Sequence, residues 1–211
     1  MAGHKEDYWG RFAGTFDEDQ RYIVGETIQR ALAEELSGEQ NLGEVIEFGC
    51  GRGYYTQAFA NKSKRVVATD LSDEMLEMAR IQLKRFENIT FQKANCESTT
   101  FPAGAFDTAI MINLIHVIEN PLNALLECHR ILKNGGKLLI ASYTGYSMKW
   151  LHRVGMAIRF LKKWGKPLPY FSGSLSPDQL AVLLEKAAFV VEESKTIGDK
   201  TKALYLRARK E

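Results

Sequence analysis

The sequence predicts an α/β domain, a mostly parallel sheet with helices on both faces. Three observations carry the prediction. From residue 44 to residue 142, short β-rich runs alternate with helical stretches of about ten to fifteen residues, as repeated βαβ units require. A glycine-rich turn follows the first of those runs directly and opens a helix. The chain has 211 residues, 45% of them hydrophobic and 26% charged, which suits one domain with a core that needs neither disulfide nor metal.

Taken in order, the elements begin with an aromatic-rich arm, Tyr8, Trp9, Phe12 and Phe16. A helix follows over 17–36, with Ile23, Ile28, Ala31, Leu32 and Leu36 at helical spacing and Ser37-Gly38 as its stop. Residues 45–48 read as a strand and 54–60 as a helix after the glycine turn. Residues 65–69 form a second strand, and 72–86 a helix started by Ser72, with Met75, Leu76, Ala79 and Leu83 on one face. Strands are expected at 89–92 and 106–112, then a helix over 121–132 closed by Asn134-Gly135-Gly136, and a fifth strand over 137–142. The rhythm then breaks. Residues 146–164 read as a helix carrying Trp150, Leu151, Val154, Ile158, Leu161 and Trp164 on one face, followed by a loop over 165–173. Ser176 caps a last helix with Pro177 at its first position, and strands at 189–196 and 204–209 form an antiparallel pair at the sheet edge.

Composition removes several classes. The longest apolar runs, 109–112 and 138–141, fall far short of the ~20 residues of a membrane span. The first seven residues lack the apolar stretch of a signal peptide, so a cytoplasmic location is expected. Cys50, Cys96 and Cys128 are odd in number and lack CxxC spacing, which points to neither a disulfide framework nor a metal site. Net charge is +2, and no nucleic-acid partner is expected. The charge is unevenly spread. No acid occurs between Cys128 and Pro177, while nine basic residues do, leaving 19 basic against 26 acidic residues elsewhere. Such a segment is either a solvated helix face or a contact for an anionic or amphipathic partner.

The chemistry resides in Glu47-Phe48-Gly49-Cys50-Gly51-Arg52-Gly53. Glycines there permit a sharp turn and close approach of backbone to a ligand, and the helix start offers free N–H groups. A nucleotide-type cofactor at the carboxyl ends of the strands is the natural occupant. The dinucleotide spacing G-x-G-x-x-G is denied by Tyr54, which stands where the third glycine would fall. Glu47 beside the turn would repel a pyrophosphate and suits a cofactor with a positively charged amino acid end.

At these residues the chain resembles the class I S-adenosylmethionine-dependent methyltransferases of small-molecule type. Glu47–Gly53 looks like their first motif. Val66-Val67-Ala68-Thr69-Asp70 resembles their second strand, ending in an acid 21 residues after Gly49, with Leu71 where the adenine packs. Phe106-Asp107 through Asn113-Leu114-Ile115-His116 resembles the fourth-strand motif, and residues 130–136 the turn before the fifth strand. Where the family has Asp-Ala, this chain has Asn95-Cys96; an Asn oxygen still accepts from an adenine amino group, and the Cys96 backbone still serves the ring.

The resemblance implies a Rossmann-like seven-stranded, mostly parallel sheet with helices on both faces and an antiparallel edge strand. It implies S-adenosylmethionine as cofactor, S-adenosylhomocysteine as product, and a small-molecule oxygen, sulfur, nitrogen or carbon acceptor. Expected cofactor residues are Glu47, Gly49, Cys50, Gly51, Gly53, Asp70, Leu71, Asn95, Cys96 and Asn113, with His116 either a base or a residue shaping the site. The whole chain, 1–211, reads as one methyltransferase domain in which residues 1–40 form a helical arm or lid and 143–175 a helical insertion over the substrate. The helix at 146–164 has two further readings, an oligomer contact or an element touching a membrane surface or lipid-like substrate. A non-catalytic S-adenosylmethionine-binding module and an NAD-dependent oxidoreductase are the rival functions.

Overall fold

The computed structural model describes residues 8–169, 171–172 and 175–211. The first seven residues of the predicted arm and residues 170 and 173 of the predicted loop lie outside them. Seven strands form one sheet: β1 (Glu44–Phe48), β2 (Arg65–Asp70), β3 (Ile89–Lys93), β4 (Phe106–Ile112), β5 (Leu132–Thr144), β6 (Phe189–Ile197) and β7 (Lys202–Lys210). Their spatial order is β3-β2-β1-β4-β5-β7-β6. The first five pair in parallel, and β7 runs antiparallel to both β5 and β6, giving the sheet its antiparallel edge. The order reverses between β1 and β4, which opens a crevice at their carboxyl ends.

Both faces of the sheet are covered, so its central strands are apolar on both sides. Along β1, Val45 joins one core and Ile46 and Phe48 the other; along β4, Ile110 joins the first and Ala109 and Met111 the second. The first core packs under α1 (Phe16–Val24), α2 (Glu26–Gly38), α3 (Thr56–Phe59) and α4 (Asp73–Gln82) through residues such as Ile28, Leu32 and Leu76. The second packs under α5 (Pro121–Ile131) and α7 (Pro177–Lys186) through Leu125, Cys128, Leu180 and Leu184. Ser72 caps α4 by accepting from the Met75 N–H at 3.2 Å, and Ser176 and Gln179 form a reciprocal capping box at α7.

Four expectations are corrected. The single helix expected over 17–36 is two, because Gly25 at φ 95° interrupts the helical backbone between α1 and α2. The helix expected over 54–60 shrinks to α3 plus a 3₁₀ turn, Ala60–Lys62. β5 is longer than 137–142, since Leu132 already pairs with Phe106 and the strand runs on to Thr144 opposite Lys202. Finally, α6 (Trp150–Trp164) starts later than expected, and Trp164 leaves the predicted stripe. Trp164 is buried, whereas Trp150, Leu151, Val154, Ile158 and Leu161 are all exposed.

Candidate functional site

The turn after β1 sets the site. Gly49, Gly51 and Gly53 have φ of 69°, 53° and 84°, a region open to glycine at no steric cost. A Cβ at Gly49 would sit 2.9 Å from Leu114 Cδ1 and one at Gly53 2.4 Å from Leu83 Cδ1, whereas at Gly51 nothing lies closer than Phe16 at 3.8 Å. Gly49 and Gly53 are therefore glycines for packing, and Gly51 leaves its space to the cavity. The end of β2 locks the loop: the Cys50 N–H donates to the Thr69 carbonyl at 2.9 Å, and the Gly51 N–H to Asp70 Oδ2 at 2.9 Å. Asp70 Oδ1 accepts from the Ser72 N–H at 3.0 Å. Burial raises the Asp70 pKa against those backbone donors, and each carboxylate oxygen keeps acceptor capacity for a ligand hydroxyl.

These groups line a cavity of about 710 Å³ over the crevice between β1 and β4. Gly49, Cys50, Gly51, Asp70 and Leu71 line it from one side, Asn95 and Cys96 from the adenine side expected from the sequence, and Asn113 and His116 from the end of β4. Two expected residues stay out of the lining. Gly53 is buried in the loop behind it. Glu47 is 1% exposed, and its carboxylate accepts from Thr56 Oγ1 at 2.6 Å. Burial, opposed by the Thr56 hydroxyl and reinforced by Asp70, pushes the Glu47 pKa up to about 8. Asn95 Oδ1 already accepts from the Glu97 N–H at 3.0 Å.

Glu47 makes stability depend on pH. An acid whose pKa is raised on folding binds more protons folded than unfolded, so stability falls as pH rises from its usual 4.5 to about 8. Glu47→Gln keeps an acceptor for Thr56 and removes the ionisation. Urea midpoints at pH 6 and pH 8.5 are expected to drop for the wild type and to lie closer together for the variant.

Asn113 sits at φ 54°, an uncommon backbone state that tends to mark functional sites. Its N–H donates to the Ala141 carbonyl at 2.7 Å, its Oδ1 accepts from the Tyr143 N–H at 3.0 Å, and its buried side chain lies beside the Tyr55 and Tyr143 hydroxyls. The β4–β5 register that pairs Ile112 with Ala141 makes these contacts. His116 is buried, with Nδ1 2.5 Å from Ser142 Oγ and its ring edge-on to Phe171. Burial lowers its pKa to about 4, so it is neutral at pH 7.

The motif reading missed Tyr55 and Tyr143, whose hydroxyls bond to each other in the cavity wall, and Ser142 behind His116. Adjacent Tyr54-Tyr55 after the glycine turn was the available signal for the first. The arm and α6 close the cavity from above. Trp164 stacks on Phe16 at 5.2 Å and meets Trp9 and Phe160 edge-on at 5.3 and 5.2 Å. Lys163 pairs with Asp19 at 2.7 Å, and Arg159 donates to the Ile23 carbonyl at 2.9 Å. Arg52 of the glycine loop reaches the Gly14 carbonyl at 3.0 Å, tying the loop to the arm.

A doubly wound sheet with a glycine turn after β1, a carboxylate ending β2 and a cavity at the switch point places this chain among the open α/β proteins, whose ligands bind at that crevice. Residues 46–140 match the family described as "Methyltransferase domain". The demethylmenaquinone methyltransferase of Tropheryma whipplei is 34% identical over 115 residues, 54% of this chain and 48% of that protein. The ubiquinone/menaquinone biosynthesis C-methyltransferase of Citrifermentans bemidjiense is 31% identical over 121 residues, 54% of this chain and 52% of that one. The chain spans about half the length of these curated relatives. An S-adenosylmethionine-dependent methyltransferase from Thermotoga maritima superposes with a TM-score of 0.73 at 22% identity, over 99% of this chain and 100% of that one. The family match extends over residues 46–140, and the superposition shows that the whole chain shares the fold of that Thermotoga protein.

Proposed function

We propose that the protein transfers the methyl group of S-adenosylmethionine to a small-molecule acceptor. The observation that carries this reading is the convergence of the Gly49–Gly51 turn, Asp70 and Asn113 on one cavity at the sheet's switch point. The donor set fits the cofactor: Asp70 has acceptor capacity for two ribose hydroxyls, and Gly51 leaves open space beside its backbone where the cofactor would pass. Leu71 would pack on the adenine, Asn95 and the Cys96 backbone would meet its edge, and Gly49, Cys50 and Gly51 would hug the chain that links it to the methionine end. Glu47 and Gly53 would support that turn from behind. The bound cofactor supplies an activated methyl group on a sulfonium, so the protein's task is to align the acceptor and keep water out. We also read the arm within residues 1–40 as a lid and residues 143–175 as a cap, which fits their shared aromatic roof.

His116 would take a proton from an acceptor hydroxyl or thiol. In the tautomer where Nδ1–H donates to Ser142, Nε2 carries the lone pair. The aromatic lining and the quinone methyltransferases among the relatives favour a flat, apolar acceptor of quinone-like or aromatic class. A cytoplasmic location fits Cys50 and Cys128, both of them free thiols buried in the core.

The test is S-adenosylhomocysteine formation across a panel of phenolic, thiol and amine acceptors. Turnover with one acceptor class supports the reading; cofactor binding with no turnover on any favours the non-catalytic module. His116→Ala is expected to leave cofactor affinity unchanged and to lower turnover about 10²-fold or more only for acceptors that must lose a proton. An equal loss with every acceptor would make His116 a residue that shapes the site.

A further inference from the structure

We infer that α6 is a membrane-docking helix that sets the mouth of the cavity against an anionic lipid surface. Its row of Trp150, Leu151, Val154, Ile158 and Leu161 is between 47% and 69% exposed, on a helix whose other side (Met156, Phe160, Trp164) packs onto the arm and core. The spacing of the row makes one continuous stripe along the helix, and a contiguous apolar patch of this kind marks an interaction surface. Charge says what covers it. No acid occurs between Cys128 and Pro177. On and beside α6, Lys163 pairs with Asp19 and Arg159 is taken by the Ile23 carbonyl. Lys149, Arg153 and Lys162 form no ion pair among the described residues, and Lys162 lies 5.9 Å over the exposed Tyr22 ring. An apolar stripe with unpaired basic residues on the same helix suits the boundary between anionic headgroups and acyl chains.

Trp150, Arg153, Val154 and Leu161 also line the cavity, so the docked face and the cavity entrance are the same place. Resting on the proposed function, this makes the acceptor an amphiphile that enters from the bilayer and not from bulk water. No helix among the described residues is long and apolar enough to cross a membrane, so the contact is peripheral.

The test is co-sedimentation of the full chain, without cofactor, on phosphatidylcholine vesicles with and without phosphatidylglycerol. Omitting cofactor separates this inference from the methyl-transfer reading, which the acceptor panel tests alone. The wild type is expected to bind the anionic vesicles and to release them in high salt. Leu151→Asp with Ile158→Asp changes only exposed side chains and is expected to weaken binding about tenfold or more at an unchanged unfolding midpoint. Lys149→Ala with Lys162→Ala is expected to weaken binding to anionic vesicles alone, also by about tenfold. Failure of the wild type to bind either vesicle overturns the inference, as do variants that bind like the wild type. A wild-type dimer that Leu151→Asp with Ile158→Asp dissociates, without vesicle binding, would assign the stripe to a second copy of the chain and overturn it equally.

Discussion

Asp70→Ala and Gly51→Val are each expected to weaken S-adenosylmethionine binding by about 100-fold or more, measured by calorimetry, with the circular dichroism spectrum unchanged. The two act by different routes. Asp70 anchors the glycine turn through the Gly51 N–H, accepts from the Ser72 N–H and faces the cavity. Hydrogen bonds to a charged group contribute about 1.5–3 kcal/mol each, so losing two to the cofactor exceeds the ~2.7 kcal/mol of a hundredfold change. Gly51 lies at φ 53° with open space beside it, so valine there adds backbone strain and puts its side chain where the cofactor belongs. Gly53→Val would be a poorer test. A Cβ there strikes Leu83 at 2.4 Å, and the fold itself would suffer. If both Asp70→Ala and Gly51→Val bind as the wild type does, the site is assigned to the wrong cleft.

Trp164→Ala is expected to cost about 3 kcal/mol or more and to release the roof of the cavity. The ring is 6% exposed and has aromatic neighbours from both segments that close the site, Trp9, Phe12 and Phe16 from the arm and Phe160 from its own helix. Truncating a buried tryptophan loses its apolar burial and leaves a void that such a junction refills only in part. The buried indole N–H has no hydrogen-bond partner among the described residues, so its removal offsets a fraction of the loss. The ion pair of Lys163 with Asp19 and the Arg159 bond to Ile23 would remain, but both are partly exposed and contribute little alone. Hydrogen exchange is expected to accelerate over residues 8–24 and 150–164 and to stay slow in β1, β4 and β5. Unchanged protection in the first two segments would show that Trp164 does not join them.

The central sheet was legible because both of its faces are buried. β1, β2 and β4 are short apolar runs bounded by glycine, aspartate and asparagine, and few other structures suit such runs. The line from Gly49 to Asp70 to Asn113 was legible for a related reason: each residue ends a strand, and parallel strands carry their ends to one edge. What the sequence concealed depends on distant packing. The apolar spacing of Ile23, Ile28, Leu32 and Leu36 runs straight through Gly25, so it masked the break between α1 and α2. In α6, helical periodicity revealed a stripe but not its neighbours, and the side that packs is that of Met156, Phe160 and Trp164. Ser142 and Tyr143 reach His116 and Asn113 only through the register of β5 on β4, which no local motif records.

The most direct test of the account is thermal unfolding of the purified protein with S-adenosylmethionine, S-adenosylhomocysteine, NAD or buffer alone. A ligand at 100 times its dissociation constant stabilises by ~2.7 kcal/mol, or about 5–10 °C in midpoint for a chain of this size. The account predicts that shift with both adenosyl-sulfur ligands, none with NAD, and its loss in Asp70→Ala. A shift with NAD alone would contradict the reading of residues 47–53 and every role assigned from it.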